Sequence, residues 1–157
     1  MLGATLRTLA ATLGATHAVE VGTGTGVTGL WLFQGMAPDG VLTSIDRNSD
    51  HQRAARDAFA EAGISPTRAR LIAGEPHDVL TRLTDSAYDM VVVSGDASEY
   101  PGYWAESTRL VRPGGAVVFR DANPGALAQL AVDVRESENW LTSVLPIDGG
   151  LLVAVRQ

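Results

Sequence analysis

The 157-residue sequence contains no cysteine and no lysine, and each absence removes a class of chemistry. Without cysteine the protein can form no disulfide, thiolate metal site or thiol nucleophile, which favours a cytoplasmic location. Without lysine it has no amine base and no Schiff-base nucleophile. All twelve basic side chains are therefore those of arginine.

Long basic runs and long apolar runs are missing as well. The formal net charge is −6, and the arginines are not clustered, which argues against nucleic acid as a partner. The apolar stretches near the N-terminus are too short and too interrupted by threonine to cross a bilayer, so no membrane partner is expected. With 45% hydrophobic residues, residues 1–157 are predicted to form one compact domain.

Short β-branched runs alternate with longer stretches of helical spacing, which is typical of an α/β protein with a parallel sheet flanked by helices. The predicted strands are His17–Val21, Val41–Asp46, Ala69–Ala73, Asp89–Ser94, Ala116–Arg120, Thr142–Pro146 and Leu151–Arg156. The predicted helices are Thr5–Leu13, Val27–Met36, Asp50–Ala62, Pro76–Leu83, Tyr103–Val111 and Ala126–Ser137. A turn is predicted at Arg112–Gly115, and Asp148-Gly149 predicts a hairpin, so the sheet should end in an antiparallel pair.

The segment VEVGTGTGVTGLWL, from Val19 to Leu32, places glycines between the first strand and the second helix. Such glycines let the backbone approach a ligand, and the N–H groups at the helix start attract negative charge. Glycines 24, 26 and 29 satisfy G-x-G-x-x-G, so a dinucleotide is one candidate, whereas the lack of lysine excludes a Walker loop. Glu20 stands where a dinucleotide fold ordinarily has an apolar residue. Asp46 can accept both hydroxyls of a ribose, which does not distinguish between nucleosides.

Four further segments, GVLTSIDRNSDHQRAARDAFAEAGI, RARLIAGEPHDVLTRL, YDMVVVSGDASEYPGYW and RLVRPGGAVVF, complete a family pattern. With the glycine loop they resemble the S-adenosylmethionine-dependent O-methyltransferases of the catechol and caffeoyl-CoA type, particularly actinobacterial members. The likeness runs from about Ala18 to Phe119 and resumes at LPIDGGLLVAVR. It implies a doubly wound, Rossmann-like methyltransferase domain with a seven-stranded, mostly parallel sheet and an antiparallel last strand.

The resemblance also implies the ligand and the reaction. S-adenosylmethionine would bind above the carboxyl ends of the first and fourth strands, and its methyl group would pass to a hydroxyl of a small molecule. Thr28 would bind the methionine carboxylate, Asp46 and Arg47 the ribose, and Gly74 with Glu75 the adenine. The implied cofactor-binding residues are Glu20, Gly22, Thr23, Gly24, Thr28, Asp46, Arg47, Gly74, Glu75 and Asp96.

The sequence departs from this family at the metal site. In the resembled enzymes a divalent ion is held by an Asp after the fourth strand and an Asp-Asn pair after the fifth, and a nearby Lys assists. Here Ser94 and Arg120 occupy the two Asp positions and Ala97 the Lys position. Asp121 stands at the Asn position, unless a shift of one residue brings Asp121 and Asn123 to the site. Because an arginine cation repels a divalent ion, we expect no metal.

Without a metal, Asp96 or Asp121 is a candidate general base, and Ser94 and Arg120 are candidate substrate-binding residues. Arg120 would grip an anionic group of the substrate. The structural alternatives are that Asp96 caps the next helix and that Arg120 pairs with a surface carboxylate. The aromatic residues of EYPGYW either wall an aromatic acceptor or pack their helix onto the sheet. Trp31 is expected in the core.

The chain begins almost at the sheet, several dozen residues later than the resembled enzymes, so an open acceptor pocket is expected. Three functions stay open at this point: O-methyl transfer, S-adenosylmethionine binding without turnover, and NAD-dependent oxidoreduction. The last lacks a hydride-relay pair such as Tyr-x-x-x-Lys. A homodimer is a further open alternative.

Overall fold

The computed structural model describes residues 1–120 and 124–157. The strands are β1 (His17–Val21), β2 (Val41–Asp46), β3 (Ala69–Ala73), β4 (Tyr88–Val93), β5 (Val111–Arg120), β6 (Trp140–Leu145) and β7 (Leu151–Arg156). The helices are α1 (Leu2–Thr12), α2 (Val27–Gly35), α3 (Ser49–Glu61), α4 (Pro76–Leu80), α5 (Tyr100–Leu110) and α6 (Pro124–Glu136), and a short 3₁₀ turn covers Ala97–Glu99.

The strands form one seven-stranded sheet in the order β3-β2-β1-β4-β5-β7-β6. Strands β1 to β5 run parallel, and β7 runs antiparallel to both β5 and β6, which confirms the predicted α/β class and the antiparallel end of the sheet. The strand order reverses between β1 and β4. In such sheets ligands bind in the crevice at the carboxyl ends of the strands beside this reversal.

Two layers of helices bury the sheet, one on each face. Strand β4 is buried along its whole length, as expected for a central parallel strand. Because strand side chains alternate, Met90 and Val92 join the core of α1, α2 and α3, while Val91 and Val93 join that of α4, α5 and α6. None of the described helices combines the length and the apolar character that crossing a membrane requires.

The aromatic residues after β4 fix α5 on the sheet. The Tyr100 ring lies 4.9 Å from that of Phe119, and the Trp104 ring lies 4.8 Å from that of Trp140. Tyr100 and Trp104 therefore pack α5 onto the sheet, which is the second of the two roles expected for the aromatic residues of EYPGYW. Trp31, expected in the core, is only partly buried, and the Arg7 guanidinium lies 5.5 Å from the centre of its ring.

The boundary that differs most from the prediction is the start of β5. Pairing of β5 begins at Val111 opposite Tyr88, with a register shift before Met90. The predicted turn at Arg112–Gly115 is therefore an irregularity inside the strand. A side chain at Gly115 would come within 2.7 Å of the Asp89 carbonyl oxygen, so the strands approach closely there. Helix α5 begins three residues earlier than predicted, since proline in the first turn removes no helical hydrogen bond.

A buried carboxylate joins three elements at the opposite edge of the sheet. Asp89 Oδ2 accepts hydrogen bonds from the backbone N–H groups of Thr16 at 2.7 Å and His17 at 2.9 Å, and Oδ1 accepts one from Arg112 Nε at 2.5 Å. Burial alone would raise the pKa of Asp89, but these hydrogen bonds outweigh it, so the pKa lies below its usual value. This ion pair and its amide contacts tie the start of β1 to β4 and β5.

Replacing Asp89 with Asn is expected to lower the free energy of unfolding at pH 7 by about 1–3 kcal/mol, because one acceptor oxygen becomes a donor. A lowered folded-state pKa stabilises the fold above the unfolded pKa, and this contribution is lost as the pH falls through the folded value. The difference between wild type and Asp89→Asn should therefore shrink at about pH 3. Urea denaturation at pH 7 and at about pH 3 measures this difference in unfolding free energy. Asp57→Asn, at an exposed acid, is the control. Equal stabilities at pH 7 would contradict the assignment.

Candidate functional site

The glycine loop between β1 and α2 lies against the end of β4. Gly22, Gly24 and Gly26 have φ angles of 91°, 51° and 88°, a region that glycine adopts without strain. A side chain at Gly22 would come within 2.6 Å of Ser94 Oγ and 2.9 Å of the Ser94 carbonyl oxygen. The loop therefore lies close against the end of β4, and Gly22 is needed there because no side chain would fit beside Ser94.

Two neighbouring cavities open at this edge. One, of about 240 Å³, is lined by the glycine loop together with Thr28, Ser94 and Arg120; it is called the loop cavity below. The other, of about 190 Å³, is lined by residues that include Asp46, Arg47 and Ser94; it is called the Asp46 cavity. Both include Gly22 and Ser94 in their walls, so the two cavities adjoin across the ends of β1 and β4, and the pair is called the elongated depression below.

Asp46 ends β2 and presents its carboxylate to this depression. Oδ2 accepts a hydrogen bond from the Gly24 N–H at 2.9 Å and Oδ1 one from the Asn48 N–H at 2.8 Å, and His51 Nδ1 lies 3.1 Å from Oδ2. Partial burial works to raise the pKa of Asp46, but these contacts together hold it below its ordinary value. The group is an oriented carboxylate anion at neutral pH.

Glu20 begins a chain of buried hydrogen bonds beneath the loop. Ser44 Oγ donates to Glu20 Oε2 at 2.6 Å, Thr23 Oγ1 lies 2.6 Å from Ser44 Oγ, and Gln52 Nε2 donates to Thr23 Oγ1 at 3.0 Å. Because the single Ser44 hydroxyl proton is donated to Glu20, Thr23 must donate to Ser44. All four side chains are buried, so the chain fixes Thr23, and with it the loop, to β1, β2 and α3.

Burial raises the pKa of the Glu20 carboxyl to about 7. The hydrogen bond from Ser44 and the positive charge of Arg120 lower the pKa, but they offset the cost of burial only in part. Glu20 Oε1 has no hydrogen-bond partner among the residues that the structure describes. The site thus contains a buried acid that titrates near neutral pH.

Arg47 lines the Asp46 cavity and forms a clasp with the carboxylates of Glu75 and Glu99. Its Nε and Nη2 donate to the two carboxylate oxygens of Glu75 at 2.7 and 2.6 Å, and it also pairs with Glu99. Tyr103 donates its hydroxyl to Glu99 Oε2 at 3.2 Å, and burial raises the Tyr103 pKa to about 12. This clasp runs between the segments that follow β2, β3 and β4.

Gly74 and Glu75 were expected at the adenine. Glu75 belongs to the clasp with Arg47, and Gly74 contacts the backbone of Asp46. The Gly74 N–H donates to the Asp46 carbonyl oxygen at 3.0 Å, which extends the contact between β2 and β3. Neither residue belongs to the described walls of the two cavities. Their assignment to the adenine stays a prediction.

The residues expected near the reacting atoms differ in their surroundings. Ser94 Oγ donates to the Val21 carbonyl oxygen at 3.0 Å, and Arg120 Nη1 donates to Thr28 Oγ1 at 2.5 Å. Asp96 Oδ1 accepts a hydrogen bond from the Ser98 N–H at 2.9 Å, as a cap does, and this bond lowers the Asp96 pKa. Asp121 and Asn123 lie outside the described residues.

A metal does not fit the described part of this site. Within residues 1–120 and 124–157, no three His, Asp or Glu side chains are grouped so that they could hold an ion. At the two positions where the resembled enzymes place aspartates, the Ser94 hydroxyl donates into β1 and the Arg120 guanidinium carries a positive charge. The guanidinium has no acceptor atom for a cation, and a neutral serine hydroxyl is a weaker ligand for a hard cation than the carboxylate it replaces.

Sequence reasoning missed Ser44, Gln52, His51 and Glu99 as parts of the site, and it left Tyr103 between lining an acceptor and packing its helix. Ser44 had a usable signal, because it lies two residues before Asp46 on the same strand. Gln52 had one too, since it shares the buried helical face of Ala55 and Phe59 and is polar. His51 and Glu99 had none, because their role depends on which segments meet at the sheet edge.

The fold and the elongated depression define a doubly wound α/β protein with a candidate ligand-binding crevice at the reversal of its strand order. The sequence profile of the O-methyltransferase family matches residues 2–155. A protein of Mycobacterium sp. (strain JLS) whose name assigns it to the O-methyltransferases is 46% identical over 169 residues, covering 99% of this chain and 77% of that protein. The chain belongs to the O-methyltransferase family.

Solved structures agree with this fold. A Corynebacterium glutamicum protein matches with a TM-score of 0.91 and 32% identity over 99% of this chain and 80% of that one. An O-methyltransferase of Streptomyces achromogenes, involved in tomaymycin synthesis and crystallised with S-adenosylmethionine, matches with a TM-score of 0.89 at 22% identity over 99% and 79%. Family membership favours methyl transfer over the dinucleotide alternative and confirms the resemblance.

Glu20→Gln is expected to make stability less dependent on pH, because it keeps the shape and removes the ionisable group. A raised folded-state pKa stabilises the fold below the unfolded value of 4.5, and this contribution is lost as the pH rises through about 7. Relative to the variant, the wild type should lose about 3 kcal/mol of unfolding free energy between about pH 4.5 and pH 8. Urea denaturation across this range measures the difference, and exposed Glu61→Gln is the control. Parallel pH profiles for wild type and Glu20→Gln would refute it.

Proposed function

We propose that the protein transfers a methyl group from S-adenosylmethionine to a hydroxyl oxygen of a small molecule. The observation that carries this proposal is the elongated depression, which joins an exposed glycine loop to an oriented Asp46 carboxylate. An extended ligand with an amino-acid end and a ribose end matches that arrangement. The family membership supports the reaction class, and an O-methyltransferase of the same fold was crystallised with this cofactor.

The chain offers a group for each part of the cofactor. The backbone of Gly22 and Gly24 leaves room for the amino-acid part, with Thr23 held below it and Thr28 at the start of α2. Asp46 is an acceptor for the two ribose hydroxyls. The remaining proposed contacts are Glu20 beneath the loop, Arg47, Gly74 and Glu75 at the nucleoside end, and Asp96 at the rim of the Asp46 cavity.

When bound, S-adenosylmethionine supplies an electrophilic methyl group on a sulfonium, so the chain must position the acceptor oxygen and help to remove its proton. Asp96 is one proposed base, but its lowered pKa makes it a weak one at neutral pH. Asp121 is the other. A weak base favours acceptors whose hydroxyl is itself acidic, such as phenols, and Ser94 is proposed to face the acceptor.

The proposed acceptor is a small hydroxylated molecule rather than nucleic acid, because the chain carries a net charge of −6. A cytoplasmic location is part of the proposal. It follows from the cysteine-free composition rather than from any site in the fold.

Titration calorimetry with S-adenosylhomocysteine tests the cofactor site. Wild type is expected to bind it, and Asp46→Asn to weaken binding about ten- to a hundredfold, because a hydroxyl donor loses a charged acceptor. Asp57→Asn, an exposed acid on the following helix, is the matched control and should bind as wild type does. Binding of NADH together with no binding of S-adenosylhomocysteine would refute the proposal.

Methyl transfer from labelled S-adenosylmethionine to a panel of phenols, catechols and hydroxy acids tests the reaction. With Ser94 and Arg120 at the metal positions, turnover should change less than about twofold between EDTA and added magnesium. A strict requirement for a divalent ion would show that Asp121 and Asn123 complete a metal site. Cofactor binding without turnover on every acceptor would favour the binding-protein alternative.

A further inference from the structure

We propose that Arg47 binds the adenine ring with the flat face of its guanidinium, and that Glu75 and Glu99 hold the guanidinium in place for this contact. The family resemblance implied a ribose contact for Arg47 and an adenine contact for Glu75. The inference rests on the proposed function, because it requires a ligand with a nucleobase. It deepens that function by naming the group that the chain offers to the base.

The N–H donors of Arg47 are almost all used within the protein. Nε and Nη2 donate to the two carboxylate oxygens of Glu75 at 2.7 and 2.6 Å. Nη1 donates to Glu99 Oε2 at 3.2 Å, and Nη2 donates to the other oxygen of Glu99. These two forks use four of the five N–H donors of the guanidinium. A ribose hydroxyl would have to displace a carboxylate to accept a hydrogen bond from one of them, so Arg47 is a poor donor to the sugar.

The clasp also restrains the plane of the guanidinium. Its two carboxylates come from different segments, since Glu75 directly precedes α4 and Glu99 ends the 3₁₀ turn after β4. Glu99 is held in turn by the hydroxyl of Tyr103, whose ring is buried. Two planar forks that point in different directions hold the guanidinium against rotation. The Arg47 side chain is nevertheless 50% exposed, so the clasp fixes it without covering it.

The flat face is therefore the part of the guanidinium that a ligand in the Asp46 cavity can use. Arg47 belongs to the described walls of this cavity together with the apolar residues Ile45 and Pro76. A guanidinium stacks on aromatic rings, and adenine is a planar aromatic base. The sugar next to the base is then left to the carboxylate of Asp46.

The charge of the clasp favours an uncharged ring as its ligand. The carboxylates of Glu75 and Glu99 together outweigh the single positive charge of Arg47. An anionic group such as a phosphate would therefore meet net repulsion here, whereas a neutral base would not. This distinguishes the clasp from the phosphate-binding arginines of other nucleotide sites.

Titration calorimetry with two ligands tests the inference. S-adenosylhomocysteine has the adenine, and S-ribosylhomocysteine keeps the ribose and the amino acid but lacks the base; the weaker ligand is measured by displacement. Arg47→Ala is expected to weaken S-adenosylhomocysteine about tenfold and to leave S-ribosylhomocysteine within about twofold, because only the stack is lost. If Arg47→Ala weakens both ligands alike, Arg47 acts on the sugar and the inference is wrong.

Two other replacements of Arg47 separate the flat face from the charge. Arg47→Phe keeps a flat face without charge or N–H donors, and it should bind S-adenosylhomocysteine within about threefold of wild type. Arg47→Lys keeps the charge without the flat face, and it should weaken this ligand about tenfold, as Arg47→Ala does. The reverse order of the two variants would overturn the inference. Arg53→Ala, at an exposed arginine of α3, is the matched control and should bind as wild type does.

Glu99 is a positioning residue in this arrangement, so its effect on binding should depend on Arg47. Glu99→Gln is expected to weaken S-adenosylhomocysteine about threefold in wild type and to have almost no effect in the Arg47→Ala background. Equal effects in both backgrounds would contradict the positioning role. If wild type binds both ligands with equal affinity, the base adds nothing and the inference alone fails. If wild type binds neither ligand, the proposed function itself fails.

Discussion

The hydrogen-bond chain that starts at Glu20 is the constraint on which the ligand-facing loop depends. A glycine-rich loop has little stiffness of its own, because its residues lose more conformational entropy on ordering than any others. Here Thr23 is held between Ser44 and Gln52, and Gly24 donates to Asp46. The loop is therefore fixed to two strands and a helix by buried contacts, and its backbone is positioned before any ligand arrives.

The same arrangement decides where charge lies along the depression. Asp46 is anionic at one end of the depression, and Arg120 is cationic at the other. Glu20 lies buried beneath the glycine loop, on strand β1, which pairs with β2 and β4. An ordinary metal site would add positive charge at the Arg120 end, where a fixed cation already stands. The arginine side chain stays protonated over the whole accessible pH range, so this end of the site keeps its positive charge.

Much of the fold could be predicted from the sequence because the patterns are local. Strands β1, β2, β3 and β7 begin and end at the predicted residues, and the Asp148-Gly149 turn joins an antiparallel pair. The start of β5 could not be predicted, since pairing across the Arg112–Gly115 irregularity depends on contact with Asp89. Trp31 was misplaced because helical periodicity does not tell which part of an apolar face a neighbouring helix covers.

The sequence by itself determined where the ligand site lies: the glycine loop follows β1, Asp46 ends β2, and parallel strands bring such ends to one edge of the sheet. The tertiary structure decided which side chains share that edge. Three contacts join segments 28 to 92 residues apart: Gln52 beneath the loop, the clasp of Arg47 with Glu75 and Glu99, and the contact of Arg120 with Thr28. Sequence spacing carries no information about such contacts, because they form only where the sheet brings distant strand ends together.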